Sequence, residues 1–579
     1  MSFKYNLIGN NLGFGDILET ILKNRGINNI SEFLNPTEKN IEDINHYDNV
    51  EEWISIFLKH INKNNNIGII VDSDFDGFSS ASLIYQYIKL LNPSIDIKYF
   101  VHKGKAHGLK DLMNEIAEVQ NNIQLLIIPD ASSGDFEQHS FAKSWGIDIL
   151  IADHHEVKGD VYSVDAIVVN NQLSKRVTNK SLTGVGVIYK LCKEIDKRLN
   201  INYADNFLDL VTVGMIADVC DLTNLESRYL VNKGIEQIKN NKNHNELISK
   251  LIEKQAYSMG NKITIMGIAF YICPLINSMT RMGTIEENRI LFEAMCNKEQ
   301  TMIDKVRGKG EVEMTLQEYA IRKCEATKRL QKKSTDKGLE LMSEQIEQFK
   351  INEMAIMICN GDKLEKSLTG LVANKVASQF QRPCIILKTT NDTLSGSGRG
   401  FERNQIQDLK QWCNETGLFI LAEGHANAMG LSIHKNKINE LYNITRQIPC
   451  STELIYCVDG IYNSKSLNKA IVISVASMGK IWGTTVKEPL FAIEKLQIDS
   501  SKINLIGSKK NTISFQYNDI DFIKFNSSEE EYQKIIIGQK DVEFTIIGRF
   551  SVNEYNGNTK PQILIEDMLY KDVDKIFRF

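Results

Sequence analysis

Between residue 66 and about residue 220 the chain alternates short, β-branched apolar runs with stretches of helical periodicity. "IGIIVDSD" (67–74) and "LLIIPD" (125–130) each begin as a short apolar run, and "IDILIAD" (147–153) carries another after Asp148, the pattern of strands buried on both faces. "SASLIYQYIKLL" (80–91) instead places Ala81, Ile84, Ile88 and Leu91 on one helical face. Strand and helix in alternation leave one economical solution, a parallel sheet with crossover helices.

Each of these runs ends on acid. Asp72, Asp74 and Asp76 follow the first in "VDSDFDG", Asp130 the second, and Asp153, His154 and His155 the third. Neighbouring residues on a strand point to opposite faces, so two adjacent histidines cannot share one apolar core. In open parallel sheets, ligands bind beyond the carboxyl ends of the strands. Carboxylates gathered on such an edge repel one another at short range unless cations neutralise them. Mixed aspartate and histidine donors suit Mn2+ or Mg2+ better than a thiolate-seeking ion. Two such ions a few ångströms apart define a phosphoester hydrolase. A fourth segment, "DLVTVGMIADVCDL" (209–222), reads as an apolar helix with Asp218 near its end, and an acid there needs a partner or a metal. Taken singly, each feature has an ordinary reading: "DSDFDG" as a solvated turn or part of a calcium loop, Asp130 as a cap, Asp218 as a salt-bridge partner, the histidine pair as incidental. Their occurrence together, in order and at strand ends, favours the site.

The remaining chain divides by pattern. Residues 1–65 read as a polar helical segment, 66–225 as the catalytic domain, and 226–350 as a helical region. Within that region the charge-rich, proline-free stretch Glu299–Glu347 reads as a long connecting helix. Residues 351–445 return to strands and glycine-rich turns, and 446–579 read as all-β. The net charge of −5 over 579 residues gives no global basic signature, so any nucleic-acid contact must be local. The ten cysteines include no Cys-x-x-Cys pair, which argues against structural zinc and a disulfide framework. No charged-then-apolar signal precedes the first helix, and no apolar run approaches the roughly 18 residues of a membrane span. These features make a cytoplasmic protein with no membrane partner the expectation.

"VDSDFDG", "IIPD", "IADHHE" and "GMIADVCDL" together resemble the four motifs of the DHH phosphoesterase superfamily, and within it the RecJ single-strand exonucleases. The likeness covers nearly the whole chain. "ILKNRGINNISEFLNP" resembles that family's N-terminal helical segment, and "CPLINSMTRMG" its arginine-bearing segment, with Arg281 in the arginine position. "SGSGRG" (395–400) and "EGHANAMG" (423–430) resemble the phosphate-binding motifs of the DHH-associated domain. "NEYNGNTKPQILIED" resembles the terminal hairpin of an OB domain. The resemblance implies an α/β fold: a parallel-sheet DHH domain, joined by a long helix to a second α/β DHH-associated domain, plus a C-terminal OB-like β-barrel. It implies that Asp74, Asp76, Asp130, His154 and Asp218 hold two Mn2+ or Mg2+ ions, with Asp130 bridging and Asp72 an additional acidic position. It gives His155 to the scissile phosphate and Asp153 to the orientation of a histidine. Arg281, Ser395, Gly396, Ser397, Arg399, Gly424 and His425 would bind substrate, with Tyr555 and Lys560 as candidate strand contacts. The implied activity is 5′→3′ digestion of single-stranded DNA in recombination, repair or replication, alongside a single-strand-binding protein or helicase. Two rival readings lie within the superfamily: a small-substrate phosphodiesterase acting on oligoribonucleotides or cyclic dinucleotides, which would share the metal site, and a non-catalytic Cdc45-like scaffold of the same ancestry, a class that typically loses metal ligands. The chain departs from the pattern at Glu423, where the family has glycine, in "VHKGKA" before "HGLK", and in "EKSLTGLVANKVA", which lacks the usual Trp and His.

Overall fold

A computed structural model describes residues 3–12, 16–240, 245–537, 540–555 and 558–572. The chain forms two compact units, one of Ser31–Lys332 with Trp482–Val486, the other of Met1–Ile30, Lys333–Ile481 and Lys487–Phe579. Strand β1 (Phe3–Leu7) belongs to the latter, in a stretch the sequence pattern assigns to helix. Its partner lies about 450 residues away, beyond the reach of local periodicity.

The first unit is built on a five-stranded, all-parallel sheet: β2 (Ile67–Val71), β3 (Ile97–Val101), β4 (Leu125–Pro129), β5 (Asp148–Asp153) and β6 (Ile167–Asn170). Its order is β3-β2-β4-β5-β6. The chain therefore leaves β2 on one side and returns to its other side with β4. The connection reverses between these two strands, the position where open α/β sheets bind ligands. β2 and β4 are buried along their whole length, as their unbroken apolar sequence requires. Helix Phe75–Leu91 follows β2 and is buried over most of its length; Asp74 caps its N-terminus by accepting from the Asp76 and Gly77 amides. Helix Ile265–Met282 is long and apolar enough to cross a membrane by length and composition, but 56 % of it is buried inside the unit, as in a core helix.

The stretch read as one helix from Glu299 starts differently. β7 (Thr301–Val306) and β8 (Gly310–Thr315) form an antiparallel hairpin whose turn places Gly308 and Gly310 at φ +82° and +77°. The turn chemistry in "RGKG" overrides the helical composition around it. The helix proper, Leu316–Gln348, spans 33 residues and contributes to both units.

In the second unit, β9 (Met357–Asn360), β10 (Cys384–Thr390), β11 (Thr393–Arg399), β12 (Phe419–His425) and β13 (Ala428–His434) form a sheet in the order β12-β13-β11-β10-β9. "SGSGRG" is thus largely a central strand rather than a glycine-rich turn. The reason is packing: a Cβ on Gly396 would lie 1.9 Å from the Ile386 carbonyl oxygen. β14 (Leu454–Val458) pairs in parallel with β1. The C-terminal sheet comprises β15 (Gly460–Asn463), β16 (Phe491–Asp499), β17 (Asn504–Ile506), β18 (Thr512–Tyr517), β19 (Ile520–Phe525), β20 (Asp541–Tyr555) and β21 (Asn558–Asp572). Its order is β15-β16-β20-β21-β19-β18-β17, and the Phe491 and Phe550 rings stack within it at 4.0 Å. The region is not purely β: helices Lys469–Ser477 and Glu529–Ile536 interrupt it, each capped by the side chain before it, Asn468 and Ser528. "AIVISV" has strand composition, and the cap decides for helix. The Tyr555 side chain and residues 556–557 lie outside the described residues; Lys560 is exposed on β21.

Candidate metal centre

The switch point of the first unit gathers the acids and histidines of all four motifs. Three overlapping sets each offer donor atoms within 4.8 Å of one another: Asp130, His154 and His155; Asp76, His154 and Asp218; Asp72, Asp74 and Asp130. Asp130 and His154 each belong to two sets. His154 Nε2 lies 3.1 Å from Asp130 Oδ1 and 3.7 Å from Asp218 Oδ2. Asp130 Oδ1 is buried yet makes no hydrogen bond with that ring. Close approach without a hydrogen bond is what two ligands of one cation show, and the three sets together, with more carboxylates than imidazoles, match a hard divalent ion.

The backbone is bent to bring these groups in. Asp130 and Ser132 have φ of +66° and +72°, a conformation that costs non-glycine residues free energy and concentrates at functional sites. Asp153 does not face the donors but anchors the loop. It accepts from the Ser133 amide at 3.0 Å, the His154 amide at 2.7 Å and the His155 amide at 3.1 Å, and holds His155 Nδ1 at 2.8 Å. Asn170 at the end of β6 ties the Ser133 hydroxyl to the His155 carbonyl. Asp76 is received by the N-terminus of helix Gly184–Leu199: the Gly184 amide donates at 2.8 Å and the Thr183 hydroxyl at 3.1 Å. Gly184 has no room for a side chain, since its Cβ would meet Asp130. Thr183, Gly184, Ser133 and Asn170 escaped the sequence reading, although "LTGVGV" carries the small-residue helix start that could have flagged the first two. Arg281 ends helix Cys273–Met282, and its charge acts on Asp74.

Burial and mutual repulsion raise the carboxyls: Asp130 and Asp218 well above the usual range, Asp76 up to about 7, and Asp74 upward as well. Burial and the neighbouring His155 push His154 down to about 3, so its imidazole is neutral, the form that ligates. Burial opposes charging His155, but Asp153 overrides it and pushes that ring up to about 10. Burial alone would raise Asp153; the two histidines hold it well below the carboxylate range. The two adjacent histidines are thus pushed in opposite directions, His154 toward the neutral form and His155 toward the cationic one.

These shifts set a pH dependence. A carboxyl whose folded-state pKa is raised is accommodated fully below about pH 4 and becomes a growing cost as pH rises through its folded value. Metal-stripped protein should therefore lose stability up to and beyond about pH 7. A cation bound only by the folded state offsets the loss. The difference in Tm between Mn2+-loaded and chelated protein is expected to widen from roughly pH 5 to pH 8. A constant or narrowing difference in calorimetric scans contradicts the assignment.

The second unit holds the other expected residues. Ser395, Gly396, Ser397 and Arg399 lie on β11, which is paired on both sides, so its backbone amides serve the sheet. The Ser397 hydroxyl is 3.0 Å from that of Thr369, at the start of helix Thr369–Phe380, and a Cβ on Gly370 would lie 2.6 Å from Arg399 Nη2. A helix N-terminus, two hydroxyls and a guanidinium thus converge. Gly424 (φ +122°) and His425 end β12 at the hairpin into β13.

A parallel sheet with shared aspartate and histidine donors at its switch point defines a metal-dependent phosphoesterase. Residues 66–215 match the DHH family N-terminal domain, and residues 458–567 match the RecJ OB domain. The SPbeta prophage protein YorK of Bacillus subtilis (strain 168), whose name describes a single-strand DNA-specific exonuclease, is 36 % identical over 98 % of both chains. The single-stranded-DNA-specific exonuclease RecJ of Haemophilus influenzae is 26 % identical over 96 % of this chain and 97 % of its own. The crystal structure of Thermus thermophilus RecJ in complex with Mn2+ superposes with a TM-score of 0.72 at 16 % identity, covering 99 % of this chain and 80 % of that one. The complex of the same protein with Mg2+ superposes at 0.66 and 16 % identity, covering 98 % and 78 %. The chain belongs to the RecJ-like exonucleases of the DHH phosphoesterase superfamily.

Proposed function

We propose that this protein is a single-stranded-DNA-specific exonuclease that hydrolyses phosphodiesters from the 5′ end with two Mn2+ or Mg2+ ions. The carrying observation is the sharing of Asp130 and His154 between overlapping donor sets at the sheet's switch point. Asp74, Asp76, Asp130, His154 and Asp218, with Asp72 beside them, would hold the ions. Bound there, divalent cations act as Lewis acids on the phosphoryl oxygens and make water acidic enough to attack phosphorus. The chain's own part is placement and charge. His155, cationic and fixed by Asp153, offers charge to the scissile phosphate. Arg281 contributes a second cation on the Asp74 side.

In the second unit, the Thr369 helix start with Ser397 and Arg399 would hold a phosphate, and Gly424 and His425 would let the strand pass close to backbone. The C-terminal sheet would retain the trailing strand by stacking and backbone charge. An enzyme confined to single strands acts where another activity has opened a duplex. A helicase or single-strand-binding protein is therefore the expected partner, and the cytoplasm, where DNA is processed, the expected location.

The test is cleavage of strands labelled at either end, with 5′-phosphate or 5′-hydroxyl termini. Label is expected to leave first from the 5′ end. Arg399→Ala should cost a charge-assisted contact of about 1.5–3 kcal/mol, mainly on 5′-phosphorylated strands. Earlier release from the 3′ end refutes the polarity, and equal loss on both substrates refutes the end-binding role.

A further inference from the structure

A second aspartate–histidine pair stands beside the first. His107, in the loop after β3, places Nδ1 2.9 Å from Asp72 Oδ2. Its ring lies 4.7 Å from the ring of His155, which lies 4.4 Å from that of His154. His107 and His155 are built alike: each has Nδ1 held by a buried carboxylate, and each side chain is 45 % exposed. The loop that carries His107 is itself fixed. Gly108 sits at φ +74°, where its Cβ would strike Asp135; its amide reaches toward Asp72 Oδ1 at 3.4 Å; and the Leu109 amide donates to Asp135 at 2.8 Å. Asp72 Oδ1 also lies 3.7 Å from Nε2 of the buried His102. A carboxylate has about four lone-pair sites, so holding His107 leaves Asp72 able to join Asp74 and Asp130 around a cation.

We propose that His107 is a further catalytic residue of the hydrolysis: Asp72 fixes its ring through Nδ1, and its Nε2 edge meets the scissile phosphate beside His155. This rests on the hydrolase reading above. A residue serving only to hold Asp72 would need neither the exposed edge nor the position against a phosphate-facing ring.

Full-length His107→Ala, His107→Asn and His107→Gln are compared with wild type and His155→Ala. Single-turnover cleavage of single-stranded DNA at saturating Mn2+ is measured, together with Mn2+ affinity by calorimetry. Asparagine keeps an N–H near the Nδ1 position and so keeps the Asp72 bond, but drops the Nε2 edge. Glutamine reaches toward the Nε2 position. His107→Ala and His107→Asn are both expected to slow cleavage about 100-fold with Mn2+ affinity unchanged, and His107→Gln to recover part of the rate. His107→Asn cleaving at the wild-type rate reduces His107 to a support for Asp72 and overturns the proposal. So does a loss of Mn2+ affinity that accounts for the loss of rate. Active wild type with unaffected His107→Ala overturns this proposal alone, whereas inactive wild type overturns the hydrolase reading and this proposal with it.

Discussion

Asp130→Ala is expected to lower the cleavage rate by roughly a thousandfold or more, about 4 kcal/mol of barrier, while single-strand binding survives. Asp130 is shared by two of the three donor sets, so in the proposed two-ion centre its loss would weaken both cation positions at once. Its backbone sits at φ +66°, which alanine tolerates poorly, so Asp130→Asn is the necessary companion. Asparagine keeps the shape and tolerates the conformation, and loses only the charge. Both variants should fail in cleavage, and both should weaken Mn2+ binding. Binding of DNA, measured by anisotropy in chelator, should stay near wild type because most of the expected strand contacts lie in the other unit, Arg281 and His155 apart. Retention of more than about a tenth of the activity, under 1.4 kcal/mol of barrier, contradicts the bridging role.

Gly396→Ala is the largest expected stability effect. The residue lies in β11 between Leu387 of β10 and Leu431 of β13. Its added Cβ would meet Ile386 carbonyl oxygen at 1.9 Å and Leu387 Cα at 3.0 Å, and both are backbone atoms. No side chain can rotate away, so the strands must part. A cost of the order of 3 kcal/mol follows, and a fall in Tm of roughly 5–10 °C for the transition of that unit. The family resemblance gives Gly396 to phosphate binding, and the two roles separate cleanly. An undiminished Tm with loss of the 5′-phosphate preference would favour the binding role and refute the packing one.

The gathering of the candidate metal donors was legible because each motif sits where a strand or helix stops. The carboxyl-end rule then brings Asp72, Asp74, Asp76, Asp130 and His154 to one edge without knowledge of the fold. The groups that support it were not legible. Thr183 and Gly184 serve Asp76 from a helix start more than 100 residues on, and Asn170 serves His155 from a neighbouring strand. His107 stands in a loop without periodicity. Composition misled in two places: the charge-rich run from Glu299 begins as a hairpin, and the Ile- and Val-rich 469–477 is a helix. In both, a short local signal, the glycines of "RGKG" and the Asn468 cap, outweighs the average character of the window.

The parallel pairing of β1 with β14 has a consequence for synthesis. At roughly 5–20 residues per second, the ribosome delivers Leu454–Val458 about 20–90 s after Phe3–Leu7. Over that interval β1 is a strand without its neighbour, carrying Phe3, Tyr5 and Leu7, an edge able to pair with other nascent chains. The parallel sheet of the first unit, whose five strands all lie between Ile67 and Asn170, is delivered long before. The two units therefore mature on different clocks, and β1 is among the last strands to find its neighbour.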